Sequence, residues 1–599
     1  ENEMEQTKEY IQTWDLDQIF TGGSQSQSLK ETISKLTKEI SKVDESIELF
    51  NPAKASTNDL AGIINQLGPL QKQLRDVFAY IGCLSAQDVN DSDAAVLVAK
   101  SGDLSAKMGT VSSKLNQKLK DIKEEAWAQM MQSQELKEIA FSLSEARRKA
   151  KEMLPIDQEV LINDLAVDGY HAWNQMYDTI VGSMFVTVEE KGESKQYSMG
   201  QASNMMSNSD PHVRKKTFDL IQQEWQRNAP LFGQSLNHLA GFRLQVYKHR
   251  GWEDVLREPL ENNRMQKETL DAMWTAIEQN KEPFVAFLNR KAKLLGVEKL
   301  SMYDIGAPLG KSETKVSYNQ GANRIIEQFQ KFSPQMADFA KMAFENRWIE
   351  AEDRAGKRPG GFCTSFPNKK QTRIFMTYSG TESNIATLAH ELGHGFHQHM
   401  MNDLPIQNQR YAMNVAETAS TFAEMILADA AVRQATSKEE KVALLEDKVR
   451  RGITFYMNIH ARFLFETNFY EERKNGMVPV ERLNELMVNA QKEAYCDALD
   501  EYDPMFWASK LHFHKTGTPF YNFPYTFGYL FSLGIYAHAL EQGNDFENEY
   551  IALLQDTGRM TVEDLAKKHL NVDLTKPDFW EKAIHLCIED INEFMQLTE

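Results

Sequence analysis

Residues 384–397 read NIATLAHELGHGFH, and the spacing of their apolar positions predicts an α-helix. His390 and His394 lie four residues apart, so both imidazoles project from one face of this helix and can bind a single metal ion. Glu391 lies one position further round, where its carboxylate can take a proton from water beside the metal. Two histidines at this spacing also occur on ordinary helices as solvated or core residues, so the motif needs a third ligand.

A third ligand and a supporting carboxylate follow in residues 414–424, which read NVAETASTFAE and also have helical spacing. Glu417 comes far enough after His394 for the first helix to end near Pro405, and for a second helix to return against it. We therefore assign Glu417 as the third ligand. Glu424 lies two turns beyond Glu417 on the same face, and it either accepts a hydrogen bond from a ligand histidine or is a solvated surface charge.

Two histidines and one carboxylate form a catalytic rather than a structural zinc site, because one coordination position is left for water. With Glu391 as general base, this ligand set suits the hydrolysis of an amide bond. His397 and His399 also follow the motif, but one lies a full turn further along the helix and the other is rotated away. We expect these two histidines to pack or to form hydrogen bonds.

A stretch much further along the chain is rich in histidine and tyrosine. Residues 507–529 read WASKLHFHKTGTPFYNFPYTFGY, and Gly517, Pro519 and Pro524 interrupt any regular structure there. A loop of this composition can bring imidazole and phenol donors to the oxyanion that develops when a carbonyl is attacked. It can equally be an aromatic loop that packs on the core.

Most of the remaining chain has the apolar periodicity of helices. From Leu29 to Phe50 the apolar residues alternate in steps of four and three, and Ser28 with Glu31 predicts a capping box at the start of this helix. The fold class is therefore predicted to be mainly α. Further helical segments are expected at 58–85, 92–120, 124–154, 212–249, 266–296 and 318–349.

Two stretches interrupt the helical pattern. The first, 184–198, has the pattern of a β-hairpin, and the polar segment 207–211 after it indicates a domain boundary. We therefore expect an N-terminal helical domain over residues 1–206 and a catalytic domain over residues 207–599.

The second interruption comes just before the metal-binding helix. Two short strands are predicted at 360–366 and 373–378, which would form a small β-sheet beside the active site. An exposed edge of such a sheet can pair with the backbone of an extended peptide, or the hairpin only covers the core. The helix that follows is expected to begin at a cap, either Thr381 or Ser383.

The amino-acid composition of the chain limits the kinds of molecule that it is expected to bind. The 599 residues are 42% hydrophobic and 26% charged, as in an ordinary globular protein, and the net charge of −19 disfavours nucleic-acid binding. No stretch has the apolar length of a membrane-spanning helix, and the acidic start of the chain lacks the pattern of a secretory signal. The four cysteines form no CxxC pair, so we expect a cytoplasmic protein without a membrane partner.

Taken together, these motifs resemble the oligoendopeptidase F family of zinc oligopeptidases, which is related to thimet oligopeptidase and neurolysin. The resemblance extends over nearly the whole chain, so it is far more specific than the zinc motif alone. It rests on HELGHxxH from His390, on AETASTF from Ala416, on Trp507 with His512-Phe513, on PFYxxxYxxG from Pro519, and on Trp14-Asp15-Leu16 and Gly361-Phe362-Cys363.

The resemblance implies a large zincin-type helical fold in which a deep substrate channel runs between a helical region and a catalytic region, with one Zn²⁺ ion per chain at its floor. A narrow channel admits short peptides and excludes folded proteins, so the implied function is zinc-dependent hydrolysis of internal bonds in short oligopeptides. The resemblance also implies Glu417 as third ligand, and His512, Tyr521 and Tyr525 as the groups that stabilise the tetrahedral intermediate.

Alternatives remain for the tyrosines and for the activity. In the thimet-like branch the tyrosines follow the histidine at different offsets, and Gly517 stands where that branch has one, so Tyr529 competes with Tyr525. A carboxypeptidase or dipeptidyl carboxypeptidase of similar fold has the same zinc motif, and a fixed basic residue for a terminal carboxylate would favour it. A peptide-binding protein without activity is the third alternative, and the sequence does not predict the oligomeric state.

Overall fold

A computed structural model describes residues 9–310, 315–358 and 360–599, and 72% of it is helical. The predicted mainly α class is confirmed. The chain forms two compact units: the first comprises Glu1–Met153, Thr314–Ala430 and His538–Asn571, and the second comprises Leu154–Glu313, Ala431–Ala537 and Val572–Glu599. Because each unit combines three segments, neither has the limits of the predicted domains 1–206 and 207–599, and that division stays a prediction. The acidic start of the chain lies outside the described residues.

The α-helices alternate with short loops and with a few turns of 3-10 and π-helix. In chain order they are α1 Gln27–Leu49, α2 Thr57–Gln87, α3 Ser92–Lys120, α4 Glu124–Gln132, α5 Ala140–Glu152, α6 Ile156–Ala166, α7 Ala172–Ser183, α8 Met199–Asn204, α9 Pro211–Arg250, α10 Arg257–Asn262, α11 Lys267–Gln279, α12 Glu282–Leu295, α13 Tyr318–Phe332, α14 Pro334–Glu345, α15 Glu382–Met401, α16 Met413–Ala416, α17 Thr418–Gln434, α18 Lys438–Ile453, α19 Ile459–Arg473, α20 Val480–Ala494, α21 Phe506–Ser509, α22 Phe523–Gln542, α23 Phe546–Asp556, α24 Val562–Leu570 and α25 Pro577–Leu597.

Helices α1, α2 and α3 contact one another at the start of the first unit. The apolar stripe of α1 is buried as predicted, with Leu29 and Ile47 fully covered. The start of α1 differs from the prediction, because Ser26 rather than Ser28 is the capping residue. Ser26 has non-helical backbone and its Oγ accepts the backbone N–H of Leu29 at 3.1 Å, whereas Ser28 already lies inside the first turn.

The strands of the first unit form a small three-stranded sheet. The strands are β3 Ile349–Glu350, β4 Phe362–Phe366 and β5 Gln371–Phe375, in the order β3-β5-β4. The central strand β5 is parallel to β3 and antiparallel to β4, so β4 lies at an edge. Helix α15 packs against β4 and β5, and the predicted sheet beside the helix of the zinc motif is therefore confirmed.

The second unit is arranged around α9, which contacts α7, α19 and α20, while α25 packs against α11, α12 and α18. The predicted hairpin is also here, formed by β1 Phe185–Glu190 and β2 Glu193–Ser198. Its two-residue turn has positive φ at both Lys191 (51°) and Gly192 (81°), which matches the twist of the two strands.

Among the described residues, no helix combines the length and the apolar character that crossing a bilayer requires.

Candidate metal centre

The helix that carries the zinc motif, α15, begins at a capping box. The side chain of Thr381 accepts the backbone N–H of Asn384, and the side chain of Asn384 accepts the backbone N–H of Thr381. Of the two predicted caps, Thr381 is therefore the one that forms. On one face of α15 the rings of His390 and His394 have centroids 5.0 Å apart and planes at 76°.

A glycine of α15 allows the chain around Glu417 to come close. A Cβ atom at Gly393 would lie 2.5 Å from the carbonyl oxygen of Ala419 and 2.6 Å from the Cα of Ser420, so only glycine permits this approach. Glu417 lies at the break between α16 and α17, with φ −90° and ψ 5°. The close approach therefore brings the Glu417 carboxylate onto the histidine face of α15.

Three side chains converge at this point. Oε2 of Glu417 lies 2.9 Å from Nε2 of His390 and 3.2 Å from Nε2 of His394. One donor atom from each side chain lies within 4.8 Å of the other two. Two imidazole nitrogens and one carboxylate oxygen are donors that suit Zn²⁺, and this spacing fits one ion.

Two neighbouring residues orient these side chains. Nδ1 of His390 lies 3.1 Å from Oε2 of Glu424, so Nε2 is the nitrogen left for a metal. The predicted contact of Glu424 with a histidine of the motif is therefore present, and the role of that histidine as a ligand stays a prediction. The hydroxyl of Ser420 donates to Oε2 of Glu417 at 2.7 Å. The sequence reasoning missed Ser420, although it stands three residues after Glu417 near the start of a helix.

The charges around the three side chains favour a cation. Burial lowers the pKa of His390, but its hydrogen bonds to Glu417 and Glu424 outweigh burial and raise that pKa to about 10. Burial by itself raises the pKa of Glu417. Its hydrogen bonds to His390 and His394 outweigh burial and hold the pKa of this carboxyl well below its ordinary range. The residues present thus fit a divalent metal ion.

Glu391 is placed differently from the three donors. Its side chain is buried, and its Oε2 has no hydrogen-bond partner among the described residues. Burial raises the pKa of Glu391, although the nearby His394 and His390 act in the opposite direction. A buried carboxyl with a free oxygen beside the metal donors is the arrangement that a general base needs.

The two histidines after the motif take no part in the cluster. His397 is fully buried, and its Nε2 lies 2.8 Å from Oγ1 of Thr557 and 3.2 Å from the carbonyl oxygen of Leu554. Burial lowers the pKa of His397 to about 3, so this ring stays neutral. The ring of His399 packs against Phe339 with centroids 5.1 Å apart. Both therefore have the packing and hydrogen-bonding roles that were predicted.

The predicted oxyanion donors cluster within the second unit. Ring centroids of His512 and Tyr521 are 4.9 Å apart, those of His512 and Tyr525 5.9 Å, and those of the two tyrosines 5.4 Å. Tyr529 does not join them, since its hydroxyl lies 3.4 Å from Sγ of Cys587 and its ring stacks on Phe455. The structure thus favours Tyr525 over Tyr529, and the catalytic role of the cluster stays a prediction.

Buried polar residues hold the loop that carries this cluster. Arg243 donates to the carbonyl oxygen of Lys515 at 2.5 Å and to the hydroxyl of Tyr470 at 2.8 Å. Further along the loop, Asn522 donates to the carboxyl group of Glu466, which is also buried. The sequence reasoning missed Arg243 and Glu466, because nothing in their local pattern distinguishes them from surface charges.

Comparisons with known proteins agree with this site. A sequence profile of peptidase family M3 matches residues 204–586, and a profile described as oligopeptidase F matches residues 118–185. The chain is 23% identical to the oligopeptidase PepF of Bacillus subtilis over 98% of its length and 87% of that protein. It is 24% identical to the chromosomal oligoendopeptidase F of Lactococcus lactis subsp. cremoris, covering 98% of this chain and 97% of that protein.

Solved structures share the fold. A crystal structure assigned to a peptidase from Chlamydophila abortus superposes with a TM-score of 0.83 at 19% identity, covering 98% of each chain. The oligoendopeptidase F of Enterococcus faecium gives a TM-score of 0.69 at 18% identity, covering 95% of this chain and 99% of that one. At these identities the superpositions establish the fold alone, whereas the M3 profile covers most of the sequence. The chain belongs to peptidase family M3 and is a metallo-oligopeptidase of the endopeptidase kind, as its motifs predicted.

Proposed function

We propose that one zinc ion per chain is held by His390, His394 and Glu417, and that Glu391 is the general base for cleavage of internal bonds in short peptides. The observation that carries this proposal is the convergence of the three donor atoms within 4.8 Å on one side of α15. Glu424 supports it, because it holds Nδ1 of His390 and so directs Nε2 toward the other two donors.

The chemistry follows from the properties of these side chains. A zinc ion held by His390, His394 and Glu417 would supply Lewis-acid chemistry, which polarises a peptide carbonyl and lowers the pKa of water. The carboxylate of Glu391 accepts the proton that the attacking water loses, and then donates it to the departing amine. Its burial favours the neutral acid, so Glu391 can hold the proton between the two events.

His512, Tyr521 and Tyr525 are proposed to donate hydrogen bonds to the oxyanion that forms on the attacked carbonyl. Their mutual ring contacts and the buried residues that hold their loop support this role. Burial and nearby positive charges, Arg462 first among these, lower the pKa of His512 to about 4. His512 is therefore neutral at pH 7 and donates a hydrogen bond from one ring nitrogen only.

The substrates and the location are proposed on the same basis. The family acts on peptides, and we propose short unfolded peptides as substrates and the cytoplasm as the site of action. The four cysteines support the second point, since all are free thiols in the structure, as expected in a reducing compartment.

Glu391→Gln tests the proposal, because it replaces the carboxylate with an amide of the same shape. We expect the variant to hold the same amount of zinc per chain as the wild type. Its kcat should fall by about two to four orders of magnitude. His390→Ala is the matched comparison, which should lose both metal and activity. Normal turnover in Glu391→Gln, or full zinc loading in His390→Ala, would contradict the proposal.

A second experiment distinguishes endopeptidase from carboxypeptidase action. One long peptide is blocked at its C-terminus by an amide and another is left free, and the products are identified by mass spectrometry. Cleavage of internal bonds in both peptides is expected. Release of C-terminal residues from the free peptide alone would favour a carboxypeptidase instead.

A further inference from the structure

The loop that carries His512 has little regular structure of its own. Residues 510–522, all of which the structure describes, lie between α21 and α22 and form a single 3-10 turn, Leu511–His514. Nδ1 of His512 is buried and has no hydrogen-bond partner among the described residues. Since no hydrogen bond to that nitrogen fixes the ring, its position depends on how the loop is held on both sides of His512.

A tyrosine of α7 holds the loop close to His512. Tyr177 is buried, and its hydroxyl donates to the carbonyl oxygen of Ala508 at 2.7 Å. Its ring stacks on that of His514, with centroids 3.9 Å apart and planes at 12°. Nε2 of His514 lies 2.9 Å from the carbonyl oxygen of Trp507. Tyr177 therefore contacts the chain both before and after His512.

Two further residues on the same side of this helix hold the loop after His512. Oδ1 of Asn174 accepts the backbone N–H of Thr516 at 3.3 Å, and Nδ1 of His171 lies 2.8 Å from Oγ1 of the same threonine. His171 ends the π-helical turn that precedes α7. His171, Asn174 and Tyr177 recur at intervals of three residues, so their side chains lie on one side of the helical segment 167–183.

This helical segment is itself attached to α9, the helix around which the second unit is arranged. Ser235 donates to the carbonyl oxygen of Trp173 at 3.2 Å, and Nε of Arg243 donates to the hydroxyl of Tyr170 at 2.6 Å. Arg243 also donates to the carbonyl oxygen of Lys515 in the loop. The loop is thus placed relative to α9 both directly and through the segment 167–183.

We propose that His171, Asn174 and Tyr177 are positioning residues, which hold the loop so that His512 can donate a hydrogen bond to the oxyanion. This inference rests on the proposed function, since it requires His512 to be an oxyanion donor. A donor acts only if it lies within hydrogen-bond distance of the developing charge, and a displacement of about 1 Å can cost about 100-fold in rate. Because the oxyanion exists only as the carbonyl is attacked, we expect an effect on kcat rather than on KM.

Tyr177→Phe and Thr516→Val test the two ends of the contact, because each removes a hydroxyl and keeps the size of the side chain. We expect each to lower kcat about tenfold, with KM within about twofold of the wild type and unchanged zinc per chain. Thr516→Ser keeps the hydroxyl and should restore kcat. His171 is exposed, so His171→Ala removes its contact without disturbing the core, and it should also lower kcat. Gln175→Ala is the matched control, since Gln175 is exposed on the same helix, and it should leave kcat unchanged.

The His512→Ala background separates positioning from a general structural role. A residue that acts through His512 affects kcat only while His512 is present, so Tyr177→Phe or Thr516→Val should add less than about twofold to the loss in His512→Ala. Full tenfold losses in that background would overturn the inference. Unchanged kcat in Tyr177→Phe, Thr516→Val and His171→Ala would also overturn it and leave the proposed function intact. Normal kcat in His512→Ala itself would instead contradict the oxyanion role in the proposed function.

Inhibitor binding gives a readout that does not depend on turnover. A phosphinic peptide carries a tetrahedral phosphorus in place of the attacked carbonyl, whereas an ordinary peptide bound to Glu391→Gln represents the substrate before attack. Tyr177→Phe should weaken binding of the phosphinic peptide about tenfold and change the Kd of the ordinary peptide less than about twofold. An equal loss for both ligands would mean that Tyr177 supports substrate binding in general, which would overturn the inference.

Discussion

Glu424 contacts the nitrogen of His390 that points away from Glu417, at 3.1 Å. The carboxylate therefore fixes both the tautomer and the orientation of the His390 ring, which we propose as a zinc ligand. We predict that Glu424→Ala lowers the affinity for zinc about 10- to 100-fold, because the freed imidazole loses the partner that holds it in place. Competition with a chromophoric chelator measures this affinity directly.

Glu382→Ala is the control for this change. Glu382 stands in the first turn of the same helix and pairs with Arg324 at 2.7 Å rather than with His390. Its removal should leave the zinc affinity within about twofold of the wild type, because this half-exposed ion pair does not contact His390, His394 or Glu417. An unchanged affinity in Glu424→Ala would show that His390 is oriented by packing alone.

The tyrosines of the second unit differ in what their hydroxyl groups contact. Tyr521 and Tyr525 share a cluster with His512, whereas the Tyr529 hydroxyl lies against Cys587. We predict that Tyr521→Phe or Tyr525→Phe lowers kcat by about 100-fold or more, the usual cost of a lost oxyanion donor. Tyr529→Phe should leave kcat nearly unchanged. A larger loss in Tyr529→Phe than in the other two variants would contradict the assignment, and steady-state kinetics on one peptide decides between them.

At the scale of elements, Gly393 sets the distance between α15 and α17. A side chain at this position would meet the backbone at Ala419 and Ser420 at about 2.5 Å, and backbone atoms cannot move aside as a side chain does. We predict that Gly393→Ala destabilises the fold by about 1–3 kcal/mol and weakens zinc binding, because Glu417 moves with the shifted backbone. Thermal unfolding and zinc titration together measure both effects.

Gly62→Ala provides the matched comparison. Gly62 lies in the exposed face of α2, and a Cβ atom there would meet no other atom within 4 Å. The substitution should raise stability by roughly 0.5–1 kcal/mol, since alanine loses less conformational freedom in a helix. If Gly393→Ala behaves in the same way as Gly62→Ala, the two helices are not in the close contact described.

Helix periodicity predicted the existence of the helices better than their ends. The segments predicted as continuous over 266–296 and 318–349 are each divided in two, because Pro283 and Pro334 lie in the first turn of new helices, α12 and α14. Proline lacks a backbone N–H and disfavours helical backbone in the residue before it, so a helix restarts there. The apolar spacing continues across such a break, so a prediction based on that spacing alone does not detect it.

At the scale of the whole molecule, the site residues that the sequence predicts are those whose relative positions follow from the helical repeat. His390 and His394 share a face because four residues make about one turn, and the same rule relates Glu417 to Glu424. Arg243 and Glu466 act through contacts with distant parts of the chain, Lys515 and Asn522 respectively. Their roles depend on tertiary packing, which local spacing does not encode.

Glu466 links the stability of the second unit to pH. Burial raises its pKa from 4.5 to about 8, although the charge of Arg243 and the hydrogen bond from Asn522 act in the opposite direction. Between pH 4.5 and about 8 the folded chain therefore keeps a proton that the unfolded chain has lost. The contribution of this group to stability is complete below pH 4.5 and decreases as the pH rises through about 8.

We predict that Glu466→Gln flattens this dependence, because the amide carries no proton to lose and keeps the volume of the side chain. Within the window the wild type should lose stability by up to about 1.4 kcal/mol per pH unit relative to the variant, measured by urea unfolding at several pH values. Glu471→Gln is the control, since Glu471 is exposed on the same helix and pairs with Lys474. Equal slopes in all three proteins would mean that Glu466 titrates at its ordinary pKa, and so that the loop at Asn522 is held by an ionised carboxylate rather than by a neutral acid.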